Sequence, residues 1–253
     1  MDLGLKGRKA LITGSTKGVG RAIANLLAEE GASVAICSRH KDEVTTAVGE
    51  LAAKGVQATG TALDVTDGPA LAAWVKSAAE ELGGLDILVA NVSALAIEGS
   101  EESWHQGFEV DMMHTVRVVE AAMPYLEQSS AASITIISSV SGVEIDFAAG
   151  PYSVFKAALI NYAKVLSCQL AAKGIRVNSI SPGNIYFKEG VWNQIEDNMP
   201  DLFNHAMSLN KTGRMATPEE VATASVFIAS PIATFVTGTN LVVDGALTNR
   251  VQY

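Results

Sequence analysis

Short runs of β-branched and aliphatic residues alternate along the whole chain with stretches whose apolar side chains recur at helical spacing. Lys9–Thr13 reads as a first strand that stops at Gly14. Residues 19–30 follow with Ile23, Leu26 and Leu27 on one face, and Gly31 is placed to close that helix. Further strands are predicted at Ser33–Ser38, 56–63, 85–90, 133–138, 175–181 and Asn240–Val243. Helices are predicted at 42–54, 69–82, 101–126, 151–173 and Pro218–Ala229. Strand and helix in steady alternation predict an α/β fold: one doubly wound parallel sheet of about seven strands, helices on both faces. No linker or repeat divides 1–253, which is expected to form a single domain. The one break is 184–217, read as an irregular insertion and a candidate lid, since long loops inside compact domains are usually binding segments.

Composition narrows the classes. A chain of 253 residues, 48% hydrophobic, can build a full core without disulfide or metal staples. Cys37 and Cys168 form no C-x-x-C, and the four histidines form no H-x-x-x-H, so no metal site is expected. With 18 basic and 27 acidic residues the net charge is −9, which disfavours phosphate backbones and hence nucleic-acid partners. No apolar run approaches the roughly 18 residues of a membrane span. Nor does the start resemble a secretory signal. A cytoplasmic protein acting on a small molecule is the expectation.

The link from first strand to first helix reads Thr13-Gly14-Ser15-Thr16-Lys17-Gly18-Val19-Gly20. Glycines at 14, 18 and 20 let the backbone turn sharply and approach a pyrophosphate on the helix N-terminus. Three glycines alone mark many ordinary tight turns; here the strand before and the helix after supply the context of a dinucleotide site. The spacing G-x-x-x-G-x-G, rather than G-x-G-x-x-G, resembles the short-chain dehydrogenase/reductase family, and the likeness runs on to Val243-Asp244-Gly245. It implies a Rossmann-type oxidoreductase in which Ser15, Thr16, Lys17 and Val19 belong to the cofactor turn. Asp64 and Val65, after strand three, would meet the adenine, and Asn91 its ribose. Pro182, Gly183 and Ile185 would border the nicotinamide. The family likeness also implies a homotetramer paired partly through the helices at 101–126 and 151–173.

Strand two ends Cys37-Ser38-Arg39-His40, with no carboxylate to grip free ribose hydroxyls. Arg39 offers a planar fork suited to a 2′-phosphate, and Lys17 a second cation, so NADP(H) is favoured over NAD(H).

Tyr152 and Lys156 stand at i and i+4, on one face of a helix. A phenol normally titrates near pH ~10, and an ammonium one turn away favours the phenolate, bringing tyrosine towards proton transfer at working pH. Such pairs are common on helices. Ser139, thirteen residues before Tyr152 at the carboxyl end of strand five, gives this one its context. The family resemblance implies that Ser139 holds a substrate carbonyl, Tyr152 acts as acid or base, and Lys156 binds the nicotinamide ribose.

Four positions depart from the family pattern. Asn-Ala-Gly reads Asn91-Val92-Ser93. The fourth catalytic residue, an asparagine, aligns with Asp111, which keeps a backbone carbonyl for a relay water and brings a charge free to form a new contact. Phe187 replaces a threonine, and Asp-Gly-Gly reads Asp244-Gly245-Ala246. A specialised member is expected.

Substrate should lie between the 140–150 loop and the insertion, with Ser141, Glu144, Tyr186, Phe187 and Trp192 as candidate contacts. An aromatic, apolar lining suggests a small, largely apolar or cyclic ketone and its secondary alcohol. One alternative is a 3-oxoacyl-(acyl carrier protein)-type reductase, which the charge of −9 disfavours, since the carrier is acidic. Another is a non-catalytic nucleotide-binding regulatory protein, suggested by the departures and opposed by the intact Ser139, Tyr152 and Lys156.

Overall fold

A computed structural model describes residues 1–251 of the chain. Its seven strands are β1 Lys9–Thr13, β2 Ser33–Ser38, β3 Ala58–Ala62, β4 Ile87–Ala90, β5 Ser133–Ile137, β6 Arg176–Pro182 and β7 Asn240–Val243. They form one sheet in the order β3-β2-β1-β4-β5-β6-β7, and every pairing is parallel. Strands β4, β5 and β6 are buried on both faces; β4 and β5 accordingly run apolar or small, while Arg176 and Asn178 of β6 are buried with backbone carbonyls as hydrogen-bond partners.

Helices cover both faces. On one, α1 (Gly18–Glu29) packs beside α9 (Pro218–Ala229), and Ile23, Leu27, Val221 and Ile228 share a core with Ile12 and Ile36 of the sheet. On the other, α3 (Gly68–Leu82), α5 (His114–Leu126) and α6 (Pro151–Leu170) bury Trp74, Leu126, Leu159 and Leu166 against Leu11, Leu88 and Ile134. Helix α2 (Lys41–Ala52) lies along β2 and β3. The chain winds outward from β1 to β3, then returns to lay β4 on the other side of β1. That reversal opens a crevice at the carboxyl ends of β1 and β4, where doubly wound sheets bind ligands.

Two segments differ from the sequence expectation. The helix expected at 101–126 is α4 (Glu101–Gly107), a π-helical turn at Phe108–Met113, then α5. A π turn holds one extra residue, and here the widening carries Asp111 into the interior. The insertion is not irregular. It folds as α7 (Val191–Asn198) and α8 (Pro200–Leu209), with Trp192, Ile195, Ala206 and Met215 as a small core of their own. The helical spacing of Trp192 and Ile195 in α7 and of Phe203, Ala206 and Met207 in α8 serves that core. Among the described residues no helix is long and apolar enough to cross a membrane.

Candidate active site

The crevice between β1 and β4 contains a cavity of about 480 Å³ lined by Gly14, Lys17, Ser38, Arg39, Asp64 and Val92 among others. The glycine turn is drawn tight by Asn91. Its backbone N–H donates to Thr13 Oγ1 at 3.0 Å, and its Nδ2 donates to the carbonyls of Thr13 and Gly14 at 3.2 and 2.9 Å. A Cβ at Gly20 would stand 2.3 Å from the Gly14 carbonyl oxygen and 2.5 Å from Asn91 Nδ2. No larger residue fits there. The side-chain nitrogen of Asn91, expected to face the ribose, is thus spent on the turn. Ser15 is likewise internal: its hydroxyl donates to the Ile12 carbonyl at 2.7 Å and its N–H to that of Cys37 at 3.1 Å. It shapes the turn instead of offering its own donors to a phosphate.

The two expected cations are not equivalent. Arg39 is exposed at the cavity rim. Lys17 Nζ lies 3.1 Å from Glu43 and 3.3 Å from Glu189, and Thr16 Oγ1 also donates to Glu43 at 3.0 Å. Those carboxylates raise the Lys17 pKa, hydrogen bonding to Glu43 foremost. Asp64 accepts the N–H and hydroxyl of Thr66 at 2.9 and 2.8 Å, which holds its carboxyl below the usual range, and Arg39 adds to the effect. Val65 is buried, and Val19 packs into the α1-side core. Gly183, after Pro182, donates to Val243 at 3.0 Å where a Cβ would strike Asp244 at 2.9 Å, and Ile185 bridges to Ala216.

Phe187 packs onto the glycine turn. Its ring stands between Gly18 and Gly190, where a Cβ on either would come within 2.8 Å of it. Glu189, at a left-handed φ of 66°, reaches Lys17 from the same loop. The loop that leads into α7 is therefore fastened to the glycine turn.

Lys156 is almost wholly buried, at 2% exposure. Its ammonium donates to the Ile137 carbonyl at 3.2 Å, lies 3.1 Å from Asp111 Oδ1, and sits 5.6 Å from the centre of the Tyr152 ring. Ser139 caps the 3₁₀ turn Val140–Gly142, and Gly142 meets the Lys156 backbone so closely that a Cβ would lie 2.7 Å from its carbonyl carbon. Ser138 Oγ donates to that carbonyl's oxygen at 2.7 Å. Ser139, Tyr152, Lys156 and Asp111 thus converge on the carboxyl edge of β5. Asp111 Oδ2 accepts the Ala94 N–H at 3.0 Å. Its backbone carbonyl, expected to hold a relay water, accepts the Thr115 hydroxyl at 2.8 Å and keeps a second acceptor site, while the side chain contacts the lysine. Beneath them His114 Nε2 is 3.0 Å from Thr13 Oγ1, and burial pushes its pKa down to about 4.

A second cavity of about 480 Å³ opens between the β5–α6 loop, α8 and the C-terminal segment, with Val140, Phe147, Leu202 and Leu247 in its walls. Glu144 lines it, but its carboxylate accepts the backbone N–H groups of Asn249 and Arg250 at 3.0 and 3.2 Å, clamping the C-terminal segment as a wall. Ser141 is buried behind it, donating to Asp146 Oδ2 at 2.6 Å. Tyr186 and Trp192 do not line this cavity. The Tyr186 hydroxyl donates to Glu196, which pushes its pKa up, and Trp192 stacks edge-on against Phe147 at 5.3 Å, bracing that wall from behind. Asp146 and His205 also line it, together with Asn184 and Thr248, which the sequence did not single out. No group of three metal-ligating side chains occurs among the described residues.

A parallel sheet with a glycine turn at its crevice and serine, tyrosine and lysine at one strand's end defines a Rossmann-type oxidoreductase site. Comparison with known proteins gives the family. Residues 14–248 match the family described as Enoyl-(Acyl carrier protein) reductase. The chain is 41% identical over 256 residues to isoepoxydon dehydrogenase patN of Aspergillus clavatus, covering 98% of each. L-sorbose reductase of Gluconobacter frateurii, solved with NADPH and L-sorbose, superposes at TM-score 0.89 and 32% identity over 99% of this chain and 100% of that one. A 7α-hydroxysteroid dehydrogenase complexed with NADH aligns at TM-score 0.89 and 27% identity, over 97% and 96%. The chain belongs to the short-chain dehydrogenase/reductase family and is an NAD(P)-dependent oxidoreductase.

Proposed function

We propose that this protein interconverts a small, largely apolar or cyclic ketone and its secondary alcohol, using NADP(H) in preference to NAD(H). The residues fit a dinucleotide: the glycine turn borders the open cavity of about 480 Å³ at the carboxyl ends of β1 and β4, with Ser38, Arg39 and Asp64 in its lining. Arg39, at the rim, would take a 2′-phosphate, while Lys17 is held by Glu43 and Glu189 and contributes less. When bound, the nicotinamide supplies or accepts the hydride. Tyr152 gives the substrate oxygen its proton or takes it away, Ser139 hydrogen-bonds the same oxygen, and Lys156 holds the nicotinamide ribose beside Tyr152. Asp111 orients Lys156. The segment 184–217 forms the substrate lid. Exposed Trp104, Phe108 and Val154, on α4, the π turn and α6, support a homo-oligomer paired through those helices.

The observation that carries this reading is the buried Lys156 ammonium beside the Tyr152 ring on the strand edge that bears Ser139. The test is NADPH consumption with pooled cyclic, aromatic and aliphatic ketones, wild type against Tyr152→Phe. Loss of proton transfer should slow the variant by roughly 10²-fold or more while NADPH affinity, titrated separately, persists. Equal consumption by both proteins would refute the assignment; NADH in place of NADPH reads the preference.

A further inference from the structure

The second cavity, which begins at Val140 beside Ser139, holds a carboxylate one hydroxyl away from that serine. Ser139 Oγ donates to Ser141 Oγ at 3.3 Å, and Ser141 Oγ donates to Asp146 Oδ2 at 2.6 Å. The Ser141 N–H donates back to Ser139 Oγ at 3.2 Å, so the Ser139 oxygen stays in place when its proton turns towards a ligand. Asp146 Oδ1 accepts the Ala148 N–H at 2.9 Å. With one short bond to each oxygen, the carboxylate keeps acceptor sites open, since an ionised carboxyl offers about four. Asp146 itself lines the cavity, among Val140, Phe147, Leu202 and Leu247. The cation on that wall is not a partner for it: Lys211 Nζ donates to the carbonyls of Ala246 and Leu247 at 2.8 and 3.1 Å and to Asn249 Oδ1 at 2.9 Å. Glu144, the other acid there, is occupied by the amides of Asn249 and Arg250.

We propose that Asp146 is a specificity-determining residue that accepts a hydrogen bond from a substrate hydroxyl, so that the preferred substrate is a cyclic ketone bearing a hydroxyl next to its carbonyl. This rests on the ketone–alcohol reading above and narrows its substrate class. An acceptor-only group in an apolar wall favours a neutral donor and rejects an anion. The spacing suits a vicinal pair. Ser139 and Asp146 are separated by a single hydroxyl at 3.3 and 2.6 Å, a span that a carbonyl oxygen and a hydroxyl on the adjacent carbon can bridge. Ser141, held by Asp146, keeps both partners in register. A ketone without the hydroxyl would leave the carboxylate desolvated against hydrocarbon, which is how polar sites reject their deoxy analogues.

The experiment compares kcat/KM for 2-hydroxycyclohexanone and cyclohexanone, with NADPH, in wild type, Asp146→Ala and Asp146→Asn. Wild type should prefer the hydroxyketone by roughly tenfold to a hundredfold, the range for one hydrogen bond to a charged group. Asp146→Ala should lower both activities, because Ser141 loses its anchor, yet abolish most of the preference, chiefly through the KM of the hydroxyketone. Asp146→Asn, which keeps an acceptor oxygen, should restore part of it. A wild type that does not discriminate, or a preference unchanged in Asp146→Ala, overturns the inference. Should neither ketone consume NADPH, the reductase reading fails separately. Thermal shift then decides Asp146: stabilisation of wild type by the hydroxyketone that is lost in Asp146→Ala supports its role, and no stabilisation overturns it.

Discussion

His114 should make this protein acid-sensitive by a calculable amount. The imidazole is fully buried beside Thr13, and burial outweighs the attraction of Asp111, bringing its pKa from 6.5 down to about 4, with the Lys156 charge acting in the same direction as burial. The sign follows from which state binds the proton. Below the ordinary histidine value the unfolded chain takes up a proton that the folded protein refuses, so stability is lost as pH falls from 6.5 towards 4. Such a displacement corresponds to about 3 kcal/mol in full, of which about 2 to 3 kcal/mol is lost between pH ~7 and pH ~4.5. Urea unfolding of wild type and His114→Asn at those two values isolates the effect, since the carboxylates titrate in both proteins. Wild type should lose that much more stability than the variant across the interval. Parallel losses would refute the claim that a neutral, desolvated imidazole braces the glycine turn. Because Thr13 Oγ1 also accepts the Asn91 N–H, cofactor affinity should fall over the same pH range.

Three other substitutions test the cofactor site. Arg39→Ala should reduce the NADPH-over-NADH ratio of kcat/KM by roughly tenfold to a hundredfold, whereas Lys17→Ala should reduce it by less than roughly threefold, because Lys17 must first give up Glu43 and Glu189; equal losses would contradict the assignment. Gly20→Ala, whose Cβ would stand 2.3 Å from a backbone carbonyl, should cost about 1–3 kcal/mol and lower Tm by roughly 3–10 °C, with weaker NADPH binding; an unchanged melt would show that the turn can yield.

What the sequence made legible was local. The central strands β1, β2, β4 and β5 were visible in their apolar runs, β3 (Ala58–Ala62) and β6 (Arg176–Pro182) more from their place in the alternation, and the glycine turn and the Tyr152–Lys156 pair from short, fixed spacings. What stayed hidden were contacts between residues far apart in the chain. Nothing near Lys17 announces that Glu43 on α2 and Glu189 in the lid will hold it. Nothing near Phe187 shows that the ring will settle on Gly18. Asn91 and Ser15 read as ligand contacts because a donor's partner cannot be inferred from its neighbours in sequence; both donate to the turn itself. The π turn escaped notice because one additional residue barely alters the apolar rhythm of 101–126, although it decides where Asp111 points. The lid helices were hidden differently: the same aromatic side chains satisfy a helical period and a cavity lining, and only packing distinguishes the two.

The fastening of this loop to the glycine turn has a kinetic consequence. The Phe187 ring covers Gly18, and Glu189 engages Lys17, from the same loop that leads into α7. On the proposed reading, a dinucleotide phosphate that draws Lys17 away from Glu189 would release one tie on the loop leading into α7, so binding should be ordered, dinucleotide before ketone.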